Sequence, residues 1–150
     1  MLPSFSNFKD LTTKVLAGLH KELFQRSGGR IGGMGFGMPV LILKTIGRKS
    51  GKERATMLTS PVQEGETVVI VASYGGDNRH PTWFLNLEAN PDVEITMEGR
   101  TRQMKARVAS SEERAELWPR VTGKYRGYAS YQTRTDREIP LVLLEPVSNA

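Results

Sequence analysis

Six segments of strand character follow one another from Val40, and three of the links between them are too short for crossover connections. The segments are VLILKTI (40–46), RATMLTSPV (54–62), TVVIVASY (67–74), VEITM (93–97), TRQMKARVA (101–109) and IPLVLLEPV (139–147). The links GRKSGKE, QEGE and EGR are typical of antiparallel hairpins. In one small domain such strands are expected to form a closed or split barrel, because closure removes exposed sheet edges.

Two predicted helices interrupt these strands. HPTWFLNLEANP (80–91) has a proline in its first turn, where a helix tolerates it, and an Asn-Pro pair that stops it. SSEERAELW opens with a capping box, in which Ser110 and Glu113 satisfy each other's backbone N–H groups, and Pro119 is expected to end or kink that helix. The predicted class is therefore mainly β, of the α+β kind.

The first 39 residues differ in character from the rest. Apolar residues recur at helical spacing from about residue 4 to residue 24, which predicts an amphipathic N-terminal helix. Two alternatives remain open for it: packing on the fold, or lying on a membrane surface. The stretch RSGGRIGGMGFGMP (26–39) holds six glycines and predicts a linker rather than a helix. We therefore divide the chain into residues 1–39, helix and linker, and residues 40–150, the barrel.

Composition excludes several kinds of chemistry. The chain of 150 residues has no cysteine, so it has no disulfide, thiolate metal site or cysteine nucleophile. Its two histidines, His20 and His80, are far apart in sequence, and we predict no metal site. There is no signal-peptide pattern and no apolar run of the roughly 20 residues that span a bilayer. We predict a cytoplasmic protein, with peripheral contact at the inner face of the cell membrane left open.

A net charge of +5 indicates an anionic partner, and the cations concentrate in TIGRKSGKERA (45–55). There Arg48, Lys49, Lys52 and Arg54 flank one acid, while glycines permit a tight turn and Ser50 offers a hydroxyl. This composition suits an anion such as phosphate. A solvated basic turn is the plain alternative. Nucleic acid is not predicted, because the stacking aromatics of such sites are missing from the turn.

Two further stretches carry candidate site residues. In VASYGGDNRHPTWFLNL (71–87) a strand end precedes a helix N-terminus, where backbone amides point at a ligand. Trp83 and Asn86 are spaced to share one face of that helix. In KYRGYASYQ three tyrosines, Tyr125, Tyr128 and Tyr131, recur every three residues. They predict either anchors to the barrel or an aromatic wall with phenolic donors.

Taken together, TIGRKSG, VASYGG…HPTWFLNLEANP and EERAELWP…YQ…TDREIPLVLLEP resemble the deazaflavin-dependent nitroreductase family, the A branch of the reductases that use coenzyme F-420. The resemblance runs from about Val40 to Pro146. It implies a split β-barrel like that of flavin-mononucleotide-binding proteins. It also implies a deazaflavin coenzyme, coenzyme F-420, whose lactyl phosphate and oligoglutamate tail are anionic.

The resemblance also implies the roles of residues. Arg48, Lys49 and Ser50 would hold the phosphate, with Lys44, Lys52 and Arg54 near the phosphate or the tail. The coenzyme-binding residues it implies are Arg48, Lys49, Ser50, Arg54, Ala55, Thr56, Thr59, Val71, Ala72, Ser73, Tyr74, Thr82, Trp83 and Asn86. Ser73, Tyr128 and Tyr131 would act in the acceptor pocket, with Tyr125. The sequence departs from many relatives at Tyr74, where they have lysine, and at or near Thr59, where they have an aromatic residue.

The implied activity is hydride transfer from reduced coenzyme F-420 to a small-molecule acceptor: a quinone, a nitro compound or an activated enone. Two alternatives stay open. One is a flavin-mononucleotide oxidoreductase on the same barrel. The other is a non-catalytic protein that binds the coenzyme or another polyanion. The residues do not indicate an oligomeric state.

Overall fold

The computed structural model describes residues 34–35 and 37–147; the predicted N-terminal helix and most of the linker lie outside them. The strands are β1 (Met34–Gly35), β2 (Met38–Ile46), β3 (Glu53–Thr59), β4 (Val62–Glu64), β5 (Thr67–Val71), β6 (Asp92–Met97), β7 (Arg100–Val108) and β8 (Leu141–Pro146). The helices are α1 (Thr82–Ala89), α2 (Ser111–Lys124) and α3 (Gly127–Thr133), and a 3-10 turn spans Tyr74–Gly76.

The strands form one curled antiparallel sheet. Its order is β3-β2-β6-β7-β8-β5-β4, and β1 pairs with the start of β2. The two edge strands β3 and β4 are consecutive in the chain, with only Ser60 and Pro61 between them. Because two residues cannot cross a flat sheet of seven strands, the sheet must curl until its edges meet. The predicted mainly β class is confirmed, as an antiparallel half-barrel with three helices.

Ser60 lies at the point where the two edges meet, and it is fully buried. Its backbone N–H donates to Pro39 O in β2 at 2.9 Å. Its hydroxyl oxygen lies 2.6 Å from Val69 O in β5 and 3.0 Å from Val62 O, and it accepts from Gln63 Nε2 at 2.9 Å. One residue thus joins the two sides of the sheet across its opening, through its backbone on the β2 side and through its hydroxyl on the β5 side.

The helices cover opposite faces of the sheet. Along β5, Val68 and Ile70 point to one side and Val69 and Val71 to the other, as strand alternation requires. The first pair belongs to a core closed by Trp83, Phe84 and Leu87 of α1. The second pair packs with Leu117 and Val121 of α2 and Tyr128 of α3. Burial on both faces explains why this strand is apolar throughout.

Three boundaries differ from the sequence-based expectations. The predicted strand 54–62 is broken at Pro61, which has no N–H for a ladder, into β3 and β4. The predicted strand 67–74 ends at Val71, because Tyr74 has φ +46° and starts a turn. The capping box of Ser110 and Glu113 is confirmed, but α2 runs through Pro119 to Lys124.

We predict that Ser60→Ala lowers the free energy of unfolding by about 1–3 kcal/mol, because it removes the buried hydroxyl that contacts Val62 O and Val69 O and accepts from Gln63. Urea unfolding followed by circular dichroism measures the change. Ser130→Ala, on the exposed side of α3, is the matched control and should change stability little. Equal stability of the Ser60 variant and wild type would contradict the bridging role.

Candidate functional site

A cleft of about 690 Å³ opens beside the place where the sheet edges meet. Its walls come from β2, β3, the end of β5 with the turn after it, the start of α1, and the tyrosines around α3. The volume lies in the range of sites that hold cofactors and small molecules. Most of the lining is apolar, with hydroxyl groups from threonine, serine and tyrosine at intervals.

The structure brings ten of the predicted site residues together in this cleft. They are Thr56, Thr59, Val71, Ser73, Tyr74, Thr82, Trp83, Tyr125, Tyr128 and Tyr131. Met57 and Leu58 also line it, in the segment from Arg54 to Thr59 that the resemblance places along the coenzyme; the sequence reasoning missed four more lining residues, Met38, Val40, Gly75 and Pro81. Seven predicted residues do not line the cleft. Ala72 is buried in the core, Ala55 packs against Val40 and Ile42, and the other five are Arg48, Lys49, Ser50, Arg54 and Asn86.

The basic loop, residues 47–52 with Arg54, connects β2 to β3 and lies outside the cleft lining. Gly47 N–H donates to Lys52 O and Gly51 N–H to Gly47 O, both at 2.8 Å. A side chain at Gly47 would meet Ser50 Oγ at 2.5 Å, and Gly51 has φ +70°. Both positions therefore need glycine, as the sequence analysis expected.

The cations of the basic loop are exposed. Within residues 37–147 the ion pairs join Lys44 to Glu94 but involve none of Arg48, Lys49, Lys52 and Arg54. Ser50 Oγ accepts from Lys52 N–H at 3.2 Å and from Arg54 Nη2 at 3.5 Å. Its own proton remains available to an anion. The loop is a cluster of donors whose cations form no ion pair with an acid among the described residues, the neighbouring Glu53 included.

Asn86 ties the basic loop to α1. Its side chain is 2% exposed; Oδ1 accepts from Arg48 N–H at 3.1 Å and Nδ2 donates to Thr45 Oγ1 at 3.2 Å. The sequence analysis placed Asn86 around the coenzyme ring, but here its amide is occupied by the protein. Because the first turn of α1 lines the cleft, Asn86 fixes the loop and the cleft relative to each other.

The segment after β5 forms a second wall. Ser73 is nearly buried, and Tyr74 is 52% exposed at the mouth of the cleft. Arg137 donates from Nη1 to Ala72 O at 3.2 Å, from Nη2 to Ser73 O at 2.9 Å and from Nε to Asp77 O at 2.8 Å. The sequence analysis did not single out Arg137. The one sequence feature that could have pointed to Arg137 is the position of this cation shortly before the apolar strand β8.

The three tyrosines form one aromatic cluster. Tyr125 and Tyr128 meet edge to face with centroids 5.2 Å apart, and Tyr131 lies 6.2 Å from Tyr128 and 6.4 Å from Tyr125. The Tyr128 hydroxyl lies 3.2 Å from Thr59 Oγ1, a contact that joins α3 to the edge strand β3. The tyrosines thus both anchor α3 and face the cleft.

A family model described as "F420H2-dependent quinone reductase" matches residues 17–146 of the sequence. The chain belongs to this family. The predicted resemblance to reductases that use coenzyme F-420 is therefore confirmed. The family is one of oxidoreductases that take reduced F420 as electron donor, so the predicted enzyme class and coenzyme are confirmed at the level of the family.

Individual relatives of this family member agree. An F420H2-dependent quinone reductase of Mycobacterium tuberculosis strain H37Rv is 40% identical over 130 residues, 84% of this chain and 87% of that protein. A solved F420-H2 dependent reductase is 40% identical, with a TM-score of 0.65 over 71% of this chain and 94% of its own. A solved domain-swapped dimer is 35% identical, with a TM-score of 0.66 over 89% and 98%.

In the part of this reductase-family chain that the structure describes, every helix is too short or too polar to cross a bilayer.

Burial raises the pKa of Tyr128, against a smaller opposite effect of its hydrogen bond with Thr59. The pKa of Tyr131 is also raised, first by its hydrogen bond with Tyr125 and then by burial. The fold therefore favours the neutral phenols. Their contribution to stability is complete below the unfolded pKa of about 10 and is lost as the pH rises through the folded values.

We predict that Tyr128→Phe removes one ionisation from the part of the titration above pH 10, where the buried phenol should ionise. Ultraviolet absorbance of tyrosinate during alkaline titration measures this directly. Tyr74→Phe, at the exposed mouth of the cleft, is the control. Should Tyr128→Phe instead remove a group that ionises below pH 10, the hydroxyl is not buried as described.

Proposed function

We propose that the chain transfers a hydride from reduced coenzyme F-420 to a quinone that binds in the cleft. The observation that carries the proposal is the pairing of an uncompensated basic loop with an apolar cleft, joined through Asn86. A coenzyme with an anionic part and a flat ring needs both surfaces, the basic loop for its charge and the apolar cleft for its ring. We also propose that the half-barrel is a split barrel of the flavin-mononucleotide-binding type.

The basic loop fits the anionic part of the coenzyme. Arg48 and Lys49 supply charge, and Ser50 has a hydroxyl proton to donate, so these residues would hold the phosphate. Lys52 and Arg54 would face the rest of the phosphate or the glutamate tail. Lys44 is less available, because it pairs with Glu94 at 3.4 Å.

The apolar part of the cleft fits the ring. Trp83 and Val71 supply buried apolar surface, and Thr56 and Thr82 supply hydroxyl groups beside it. When bound, the reduced coenzyme supplies a two-electron hydride. The protein's own part is to orient the two reactants and to exclude water from between them.

The hydroxyl groups at the far wall suit the acceptor. A quinone gains negative charge on oxygen as it is reduced, and donors fixed beforehand stabilise that charge. Ser73 and Tyr131 line the cleft, and Tyr128 holds its hydroxyl against Thr59. Phenols are protonated at neutral pH, and the raised pKa of both tyrosines extends this protonated state to higher pH, so both can act as donors.

We propose nitro compounds and activated enones as further acceptors, because they develop comparable charge. Tyr74, which stands where many relatives have lysine, adds a phenol at the mouth in place of a cation. Peripheral membrane contact and a cytoplasmic location remain predictions, since they depend on the N-terminal helix outside the described residues.

We predict that Arg48→Ala and Lys49→Ala each weaken binding of coenzyme F-420 by about tenfold or more, because charge-assisted contacts are worth roughly 1.5–3 kcal/mol. The loss should shrink at high salt. Quenching of tryptophan fluorescence by the coenzyme gives the dissociation constant.

Arg100→Ala is the control for these variants. Arg100 is an exposed cation at the start of β7, where its backbone is paired with that of Met97 in β6. This end of the sheet is opposite the basic loop. Its removal should leave affinity unchanged. Wild-type affinity in both loop variants, or tight binding of flavin mononucleotide with none of the deazaflavin, would overturn the proposal.

We predict that Tyr131→Phe lowers turnover of a quinone about tenfold while changing coenzyme affinity little, because a donor used as charge develops appears in kcat. Tyr128→Phe should lower turnover less, since Tyr128 is buried whereas Tyr131 is half-buried and more accessible to an acceptor. Steady-state kinetics with several acceptors measures both. Normal turnover with lower melting temperatures would mean that the tyrosines are only anchors.

A further inference from the structure

The wall of the cleft after β5 contains a backbone conformation that is unfavourable on its own. Tyr74, Gly75 and Gly76 are consecutive, with φ of +46°, +64° and +84°. A tyrosine in the left-handed region is strained, and such residues persist only where their surroundings fix them. Ser73, Tyr74 and Gly75 all line the cleft, so the conformation of this stretch sets the shape of the site.

One side chain binds the backbone on both sides of the strained stretch. Arg137 donates to Ala72 O and Ser73 O before it and to Asp77 O after it, at 3.2, 2.9 and 2.8 Å. The planar guanidinium fork matches three carbonyls that diverge in direction. Burial lowers the pKa of Arg137, and the nearby Asp77 carboxylate acts in the opposite direction.

Arg137 is in turn held by the helix that carries the tyrosines. Gln132 of α3 donates from Nε2 to Arg137 O at 2.7 Å, and Arg137 N–H donates to Thr135 Oγ1 at 3.3 Å. Gln132 Oε1 also accepts from Ile139 N–H at 2.9 Å, where β8 is about to begin. The backbone from which the guanidinium extends is therefore held on the side of the cleft that the tyrosines form.

The two walls also touch directly. A side chain at Gly76 would meet Tyr131 O at 2.6 Å, so only glycine fits there. Arg134 donates from Nη1 to Gly75 O at 3.3 Å. Arg137 adds three hydrogen bonds to the turn after β5. Unlike the contact of Arg134, which is exposed, they are made from a partly buried position.

We propose that Arg137 is the positioning residue of the site, which fixes Ser73 and Tyr74 at a set distance from the tyrosines of α3. The expected effect of Arg137 on turnover rests on the proposed function, whereas its expected effect on the backbone does not. A lysine in its place has the charge but a single point of donation, and it cannot bind all three carbonyls.

The test compares Arg137→Lys and Arg137→Ala with wild type. In the protein without coenzyme, amide hydrogen exchange of residues 73–77 should accelerate in both variants, while exchange in β5 and β8 stays slow. With coenzyme and a quinone, kcat should fall on the order of 10- to 100-fold, since small misplacements of reacting groups are costly. Coenzyme affinity should change less, because the basic loop is untouched.

Arg107→Ala is the matched control. Arg107 binds Glu113 and Glu145 in exposed ion pairs, so its loss should change stability little and should leave exchange at 73–77 and kcat unchanged. Unchanged exchange at 73–77 in Arg137→Lys would overturn the inference. So would a fall in kcat no greater than that of Arg107→Ala. If wild type reduces no quinone, the proposed function fails, and the exchange measurement still decides the role of Arg137.

Discussion

The hydrogen bonds of Ser60 hold together the two edges of one sheet, and the site exists only where those edges meet. The edge strand β3 supplies Thr56 to Thr59 to the cleft, whereas Ser73 and Tyr74 follow β5 on the other side of the opening. Without the bridge from β2 to β5, these residues would lie at opposite ends of a seven-strand order. The contact of Tyr128 with Thr59 then closes the same opening from the helical side.

The distribution of charge follows from the fold in a simple way. Cations on the sheet surface have acids opposite them: Lys105 pairs with Asp92, Arg102 with Glu66, and Arg107 with two carboxylates. Such exposed pairs contribute little to stability, but they leave little net charge on the sheet. The cations of the basic loop have no such partners among the described residues, so the loop that Asn86 holds beside the cleft carries positive charge that no ion pair offsets.

Local patterns predicted most strands and both helices of the middle of the chain, because hairpins and capping boxes are short-range features. They also singled out Trp83 and the three tyrosines, whereas the other six predicted cleft residues were implied by the family resemblance. The sequence could not show that Ser60 joins the edges, since that depends on the order of all the strands. Residues three apart on a helix differ in direction by about 60°, so Trp83 lines the cleft while Asn86 bonds to Thr45 and Arg48; that Asn86 contacts the coenzyme stays a prediction. Arg137 was missed because its partners are backbone carbonyls 60 to 65 positions away, which have no sequence signature.

The place of β8 in the sheet has a consequence for the order of events during synthesis. Leu141–Pro146 pairs with β5 on one side and with β7 on the other, so the sheet is in two parts until this strand arrives. A nascent chain emerges amino end first. One edge of β5 therefore stays unpaired until β8, 70 or more residues downstream, has been made. Until then its apolar edge is open to other chains or to chaperones. The sheet behind the cleft is complete only once Pro146 has left the ribosome, so we expect coenzyme loading to come late in the synthesis of each molecule.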